Sequence, residues 1–518
     1  MTREPPAPRA DRASASAFRE LLRRAGYTRG GIQSLLGGSG DVLARAGQRP
    51  VYLRRIARRG AELSESEPDP ESLLTIVRLF LLDEPVDPAE AERALAPTPI
   101  RALERLSVVE QSAGMLRGTV RVVPHGEVVI ASDLPGREDV QEEHVAGIHR
   151  PSITLADLTI RRPVRTALDV GTGNGIQAIL ASRHAERVVA TDINERALAF
   201  AALNAALNDV ENIEFRAGSF FEPVAGEAFE LIVCNPPYVI SPESAFLFRD
   251  SGLGRDRISE QLVGELPAHL DEGAFATIMV SWIQSGPDTG ARPGAWLAGR
   301  ECDAWVLHTA VEDPLTTAAG WNRELAADEE RYSEAIDRWL AYFDAERIEA
   351  LAYGAIVLRR RDAGAASGPM TSNWIRSKEL PNDPRTNPEA HLLRLFTGVD
   401  TSIARPTDAS LASLRLALAP GALITTHLRL GENGWAEAAG LTLEQGIPFS
   451  AELDRSTAEL MTQLDGTRSL GEVLDGFAAQ HDAPPERVRA SGLGVARQML
   501  ELGFAAPTSD APEESPEA

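Results

Sequence analysis

Between Pro163 and Arg360 the chain alternates short apolar runs with amphipathic stretches, and this alternation constrains the fold more than any other feature. Strand-length runs stand at Val164–Val170, Arg187–Ile193, Ile213–Ala217, Phe229–Val233 and Phe275–Val280. Helical spacing fills the intervals near Gly175–His184 and Glu195–Leu207. Later runs at Ala304–His308 and Tyr353–Leu358 bracket a helical insertion around Ala326–Phe343. Apolar strands separated by amphipathic helices predict an α/β fold with a doubly wound parallel sheet, because each crossover helix must cover a sheet face. Ligands of such sheets bind beyond the carboxyl ends of the strands, so those ends hold the candidate residues.

The first strand runs into Asp169-Val170-Gly171-Thr172-Gly173-Asn174-Gly175 and opens a helix. Its glycines allow a sharp turn and let a ligand approach without meeting a Cβ. The helix N-terminus beyond offers free N–H groups. The dinucleotide pattern G-x-G-x-x-G needs glycine where this chain has Ile176, which disfavours NAD. The second strand ends at Asp192, followed by Ile193; a carboxylate there can accept both hydroxyls of a ribose. The third ends at Ser219-Phe220-Phe221, where a polar side chain and an aromatic can edge an adenine. The fourth gives the sharpest signal, Asn235-Pro236-Pro237-Tyr238. Two prolines stop the ladder and stiffen the backbone. The Asn235 side chain and the Pro236 carbonyl then present acceptors suited to a planar NH₂ group, and Tyr238 offers a flat face for stacking.

On these motifs, residues from about 140 to 360 resemble a class I S-adenosylmethionine-dependent methyltransferase. More narrowly they resemble the Asn-Pro-Pro-Tyr group that methylates amino and amide nitrogens. That group includes N6-adenine and guanine-N2 methyltransferases of nucleic acid and the glutamine methyltransferases of translation release factors. The resemblance implies S-adenosylmethionine as cofactor, with no metal. It implies that Asp169 and Gly171, Thr172, Gly173, Asn174 and Gly175 cradle the methionine part, and that Asp192 holds the ribose. Ile193, Ser219, Phe220 and Asn235 complete the implied cofactor site, although Ser219 stands where relatives often carry Asp. His144–Leu155 resembles a segment that covers the cofactor. Asn235, Pro236 and Tyr238 are the implied catalytic residues.

The flanks are expected as separate modules: 1–12 disordered, 13–135 helical and winged-helix-like, 136–362 catalytic, 363–440 linker and unassigned, 441–508 a small helical domain, and 509–518 an acidic tail. The winged-helix expectation rests on helices at Pro85–Ala96 and Pro99–Val109 followed by strands Met115–Val123 and Val128–Ala131. Only Cys234 and Cys302 are cysteines, so neither a disulfide framework nor a cysteine zinc site is expected. No apolar run approaches the ~18–20 residues of a membrane span, and the N-terminus lacks a signal-peptide core, so a cytoplasmic protein is expected. The net charge is −24, yet residues 1–60 hold 13 Arg against 4 Asp/Glu, a local excess of +9. That excess and the wing-like hairpin favour RNA as the methyl acceptor. The alternatives are a protein glutamine N5-methyltransferase acting on a translation factor and a non-enzymatic, cofactor-sensing regulator. Arg249 and Asp250 are further candidates for shaping the acceptor pocket.

Overall fold

The computed structural model describes residues 6–37, 49–59, 70–135, 143–243, 254–361, 373–381, 387–431 and 434–508. The chain divides into two units. The first comprises Met1–Ala156, Arg161–Ala298 and Val311–Arg360; the second comprises Asp157–Ile160, Gly299–Ala310 and Arg361–Ala518.

The first unit opens with helices α1 (Arg12–Arg24), α2 (Arg29–Leu36), α3 (Arg49–Arg59), α4 (Pro70–Phe80), α5 (Pro88–Leu95) and α6 (Ile100–Arg105). Starts are set by side chains that accept otherwise unpaired N–H groups: Asp11 for α1, Thr28 for α2 and Asp87 for α5. Strands β1 (Val109–Ser112) and β2 (Met115–Gly118) form one antiparallel hairpin, and β3 (Arg121–His125) and β4 (Val128–Ser132) another. The expected single strand Met115–Val123 is therefore two. Thr119 leaves the ladder, donating its N–H to Val108 and its hydroxyl to Ser107. The expected disorder of 1–12 also fails for the described part: Pro8 is buried and the Arg9 N–H reaches the Leu106 carbonyl at 3.0 Å. Residues 1–5 and the acidic tail 509–518 lie outside the described residues.

The sheet of this unit follows. Its elements in chain order are α7 (Arg150–Leu158), β5 (Val164–Val170), α8 (Ile176–Ala181), β6 (Ala185–Asp192), α9 (Glu195–Leu207), β7 (Ile213–Ala217), β8 (Phe229–Cys234), α10 (Arg257–Glu265), β9 (Leu270–Ile283), α11 (Ala291–Trp296), α12 (Pro314–Trp321), α13 (Glu329–Ala345) and β11 (Leu351–Arg360); β10 (Cys302–Glu312), between α11 and α12 in sequence, falls mostly in the second unit. The strands lie in the order β11-β9-β8-β5-β6-β7. All pair in parallel except β11, which runs antiparallel to β9, so the sheet is mixed at that end. Strand order reverses at β5, which lies between β6 and β8. Crevices open at such a reversal because successive crossovers leave in opposite directions.

Helix α9 joins the sheet to the N-terminal region. Phe200, Leu203 and Leu207 share an apolar cluster with Phe18, Leu21 and Phe80. The rings of Phe18 and Phe80 are 5.1 Å apart. Asn204 and Asn208, one turn apart, exchange hydrogen bonds with Ala131 and Val129 and so satisfy the edge of β4. Several arginines of the basic N-terminal region are engaged within the unit. Arg12 and Arg19 pair with Glu211 and Asp209, and Arg49 with Glu84. Arg55 donates to the last carbonyls of α2, Leu36 and Gly37, at 2.8 and 2.7 Å.

In the second unit β10 pairs in parallel with β12 (Ile375–Glu379). There follow α14 (Glu389–Ala404), α15 (Asp408–Ala412), β13 (Arg415–Leu418), β14 (Ala422–Gly431), β15 (Gly434–Leu443), β16 (Ala451–Leu453), α16 (Arg455–Met461), β17 (Asp465–Ser469), α17 (Leu470–Gln480), α18 (Pro485–Glu501) and β18 (Ala505–Pro507). The stretch 363–440 is thus more than a linker, although 362–372 lies outside the described residues. The β14–β15 hairpin escaped the sequence reading because His427–Leu430 is exposed on both faces, Leu428 and Leu430 included, so no buried face marks the strand. The C-terminal module is likewise not purely helical, since β13 pairs with β17 and β18.

Candidate functional site

A cavity of about 300 Å³ opens at the carboxyl ends of β5, β6 and β8, at the strand reversal. Its walls include Asp169, Gly171, Thr172, Gly173 and Asn174 after β5, and Asp192 and Ile193 after β6. Ser219 and Phe220 follow β7 along the same wall, and Asn235 and Pro237 follow β8. Residues from four separate strand ends therefore meet in one volume, of a size that holds a small organic ligand.

The glycine loop is shaped from inside. Asp169 is buried, and its Oδ2 accepts the Thr172 hydroxyl at 2.6 Å and the Ala178 N–H at 3.0 Å. Burial pushes its carboxyl up to about 7, outweighing those two hydrogen bonds. Gly171, Gly173 and Gly175 have φ of +68°, +54° and +83°. At Gly171 and Gly173 an added Cβ would meet nothing within 4 Å, so the loop borders open space. At Gly175 it would stand 2.9 Å from Ala201 of α9, so this glycine serves close packing, and Gly175 itself does not line the cavity.

Asp192 is tied to the same loop. One oxygen accepts the Gly173 N–H at 2.8 Å and the other the Asn194 N–H at 2.9 Å. Burial raises its pKa, against its backbone hydrogen bonds. A carboxylate has about four acceptor sites, so both oxygens retain capacity for a ligand hydroxyl. Beside it Ile193 is 62% exposed, an apolar surface at the cavity wall. Phe220 holds φ +44°, and its carbonyl accepts the Thr191 hydroxyl at 3.2 Å.

At the end of β8, Asn235 Oδ1 is buried and has no hydrogen-bond partner among the described residues. An orphaned carbonyl oxygen costs free energy unless something outside the chain donates to it, which marks it as a ligand acceptor. Pro236 and Tyr238 stand outside the cavity wall. Tyr238 is only 7% exposed, and its carbonyl accepts the Ser281 hydroxyl. The open stacking face expected of its ring is therefore enclosed by protein.

A covering segment closes one side through contacts the sequence did not reveal. Asn174 donates to the Ala146 carbonyl at 2.9 Å, Gln177 to Ser152 at 2.7 Å and Asn194 to Glu143 at 2.9 Å. Asp133 accepts the Val145 N–H and forms a buried, two-pronged ion pair with Arg196. Asn194 also caps α9, and an Asn just before a helical run was the available signal. His149 lines the cavity with Nδ1 3.0 Å from the Gly147 carbonyl. Arg249 and Asp250 lie outside the described residues.

The donor set fits S-adenosylmethionine: a glycine loop open to its amino-acid end, a carboxylate for a diol, apolar walls for a base, and an orphaned acceptor beyond.

Comparison with known proteins agrees. Residues 152–248 match the family described as Methyltransferase small domain. Residues 24–121 and 403–507 match domains of unknown function, DUF7059 and DUF7782. A release factor glutamine methyltransferase of Xylella fastidiosa is 36% identical over 135 residues, covering 23% of this chain and 48% of the relative. A Methanocaldococcus jannaschii protein named for N5-glutamine methylation is 34% identical over 133 residues, covering 24% of this chain and 66% of its own length. A ribosomal protein uL3 glutamine methyltransferase of Xylella fastidiosa is 35% identical over 123 residues, with 21% and 39% covered. The chain thus spans about half the length of the first of these relatives. Residues 152–248 are a methyltransferase small domain in a class I sheet, and the methyl donor it implies is S-adenosylmethionine.

Proposed function

We propose that this protein transfers a methyl group to the side-chain amide nitrogen of a glutamine in a protein of the translation machinery. The observation that carries the proposal is the buried, unpartnered Asn235 Oδ1 at the end of β8, facing the same cavity as the glycine loop. The relatives named above support a glutamine acceptor, and none of those three is named for RNA. The arginine excess that favoured RNA is partly engaged internally, through Arg12, Arg19, Arg49 and Arg55.

S-adenosylmethionine, when bound, supplies an electrophilic methyl on a sulfonium. Gly171, Gly173 and Asp192 hold and orient it, and the covering segment excludes water. An amide nitrogen is a poor nucleophile because its lone pair delocalises into the carbonyl. Asn235 Oδ1 accepts one amide N–H. An acceptor in a fixed direction favours a more pyramidal nitrogen and stabilises the positive charge that grows on it. Proximity and alignment supply the remainder. Tyr238 serves to hold the turn rather than to stack on the acceptor.

The test is incubation with isotopically labelled S-adenosylmethionine and a purified translation release factor. Mass spectrometry of its peptides should find label on a glutamine, and Asn235→Ala should remove it. Label on no protein residue would refute the proposal.

A further inference from the structure

Helices α12 and α13 interrupt the connection between β10 and β11, and they lie outside all three family matches. Their apolar face is directed at the run that immediately follows Tyr238. Val239 and Ile240 are buried in one cluster with Ala318 of α12 and Trp339 and Phe343 of α13. Polar contacts grip the chain further on. Arg338 donates to Glu243 Oε1 at 3.1 and 2.6 Å through Nε and Nη2, and the Trp339 indole N–H reaches the same oxygen at 3.3 Å. The Tyr342 hydroxyl accepts the backbone N–H of Arg255 at 2.8 Å. The Arg255 guanidinium donates to the Glu346 carbonyl and carboxylate at 2.8 and 3.0 Å.

None of Glu243, Arg338, Trp339 and Tyr342 lines the cavity. Their effect on chemistry is therefore transmitted through the backbone. Pro236 and Pro237 make that transmission stiff, because their fixed φ angles leave little freedom to absorb a shift at Val239–Glu243.

We propose that α13 is a positioning element for the acceptor: through Arg338 and Trp339 on Glu243, and Trp339 and Phe343 packed on Val239 and Ile240, it fixes where Asn235 presents its side-chain carbonyl. This rests on the assignment of Asn235 to the acceptor nitrogen. Misplacement of a catalytic group by about 1 Å can cost up to ~100-fold in rate. The expected effect is accordingly on turnover and not on cofactor binding.

The experiment uses the full chain with Arg338→Ala and Arg338→Lys. Methyl transfer to a purified release factor gives kcat and KM, calorimetry with S-adenosylhomocysteine gives Kd, and hydrogen exchange follows peptides spanning 235–243. Arg338→Ala should lower kcat roughly tenfold or more, by misalignment. Kd should stay within about twofold while exchange at 235–243 accelerates, and Arg338→Lys should recover part of the rate. A fall in melting temperature with kcat and exchange at 235–243 unchanged would overturn the proposal, leaving α13 a purely stabilising element. If the wild type transfers no methyl to the release factor, the glutamine assignment fails, and the exchange arm alone decides the positioning role: unchanged exchange overturns it.

Discussion

Asn235 carries the account at the scale of single residues. Asn235→Ala removes the orphaned acceptor while leaving the glycine loop and Asp192 in place. Turnover should fall by roughly 100-fold or more, the usual scale for losing one pre-organised polar contact to developing charge. Cofactor Kd should change little, which calorimetry with S-adenosylhomocysteine would show; equal loss of both would make the role structural. Asp169 makes a different prediction. Its folded pKa is raised to about 7 from an ordinary 3.8. The folded state therefore holds a proton that the unfolded chain releases near pH 4. The stability linked to that proton is present below about pH 4 and is lost as pH rises through about 7. Melting temperatures of the wild type minus those of Asp169→Asn should thus decline across pH 4–7. A flat or rising difference would show that the carboxyl is ionised throughout. That Asp169, Gly171–Asn174, Asp192 and Asn235 meet at one cavity was legible in the sequence because each stands at or just past the end of a recognisable strand, whereas Gly175 belongs to the packing against α9. Tyr238 misled because a motif gives residue types and spacing but not which way a ring is enclosed.

Among elements, the covering segment shows what sequence cannot give. His144–Leu155 was placed over the cofactor by resemblance alone, and its attachments come from side-chain amides distant in sequence. Asn174, Gln177 and Asn194 each donate to a carbonyl of that segment or its start. Long-range pairings of this kind leave no periodic trace. Gln177→Ala should weaken S-adenosylhomocysteine binding several-fold, since one hydrogen bond is worth ~0.5–1.5 kcal/mol. Asn194→Ala should do the same and also destabilise α9, with cap loss costing ~1 kcal/mol; thermal melts separate the two effects. Unchanged affinity in both variants would detach the covering segment from cofactor binding. The strands β5 and β7 and helix α9 stand at their expected bounds, since buried apolar runs and an Asn cap speak in local sequence. The expected strand Met115–Val123 did not, because a turn at Thr119 splits it into β2 and β3, and the β14–β15 hairpin was not read because its outer half is exposed on both faces; β4 lies within one residue of its expected bounds.

For the whole molecule, net charge suggested RNA as the acceptor, a reading the named relatives do not support, because it counts residues without their partners. The +9 of the first 60 residues looked like a phosphate-binding face. In the folded unit Arg12 meets Glu211, Arg19 meets Asp209, and Arg55 closes the carbonyl end of α2. A protein that neutralised phosphates with these arginines would lose single-strand affinity with a slope of about −0.7 per contact in log–log salt titration. Little such dependence is expected here. The direct measurement offers the full chain labelled S-adenosylmethionine together with a purified release factor and total RNA, and then digests both for mass spectrometry. Label is expected on a glutamine side chain of the protein and on no nucleoside, and Asn235→Ala should abolish the glutamine label. Label on an RNA base, with the release factor unmodified, would contradict it.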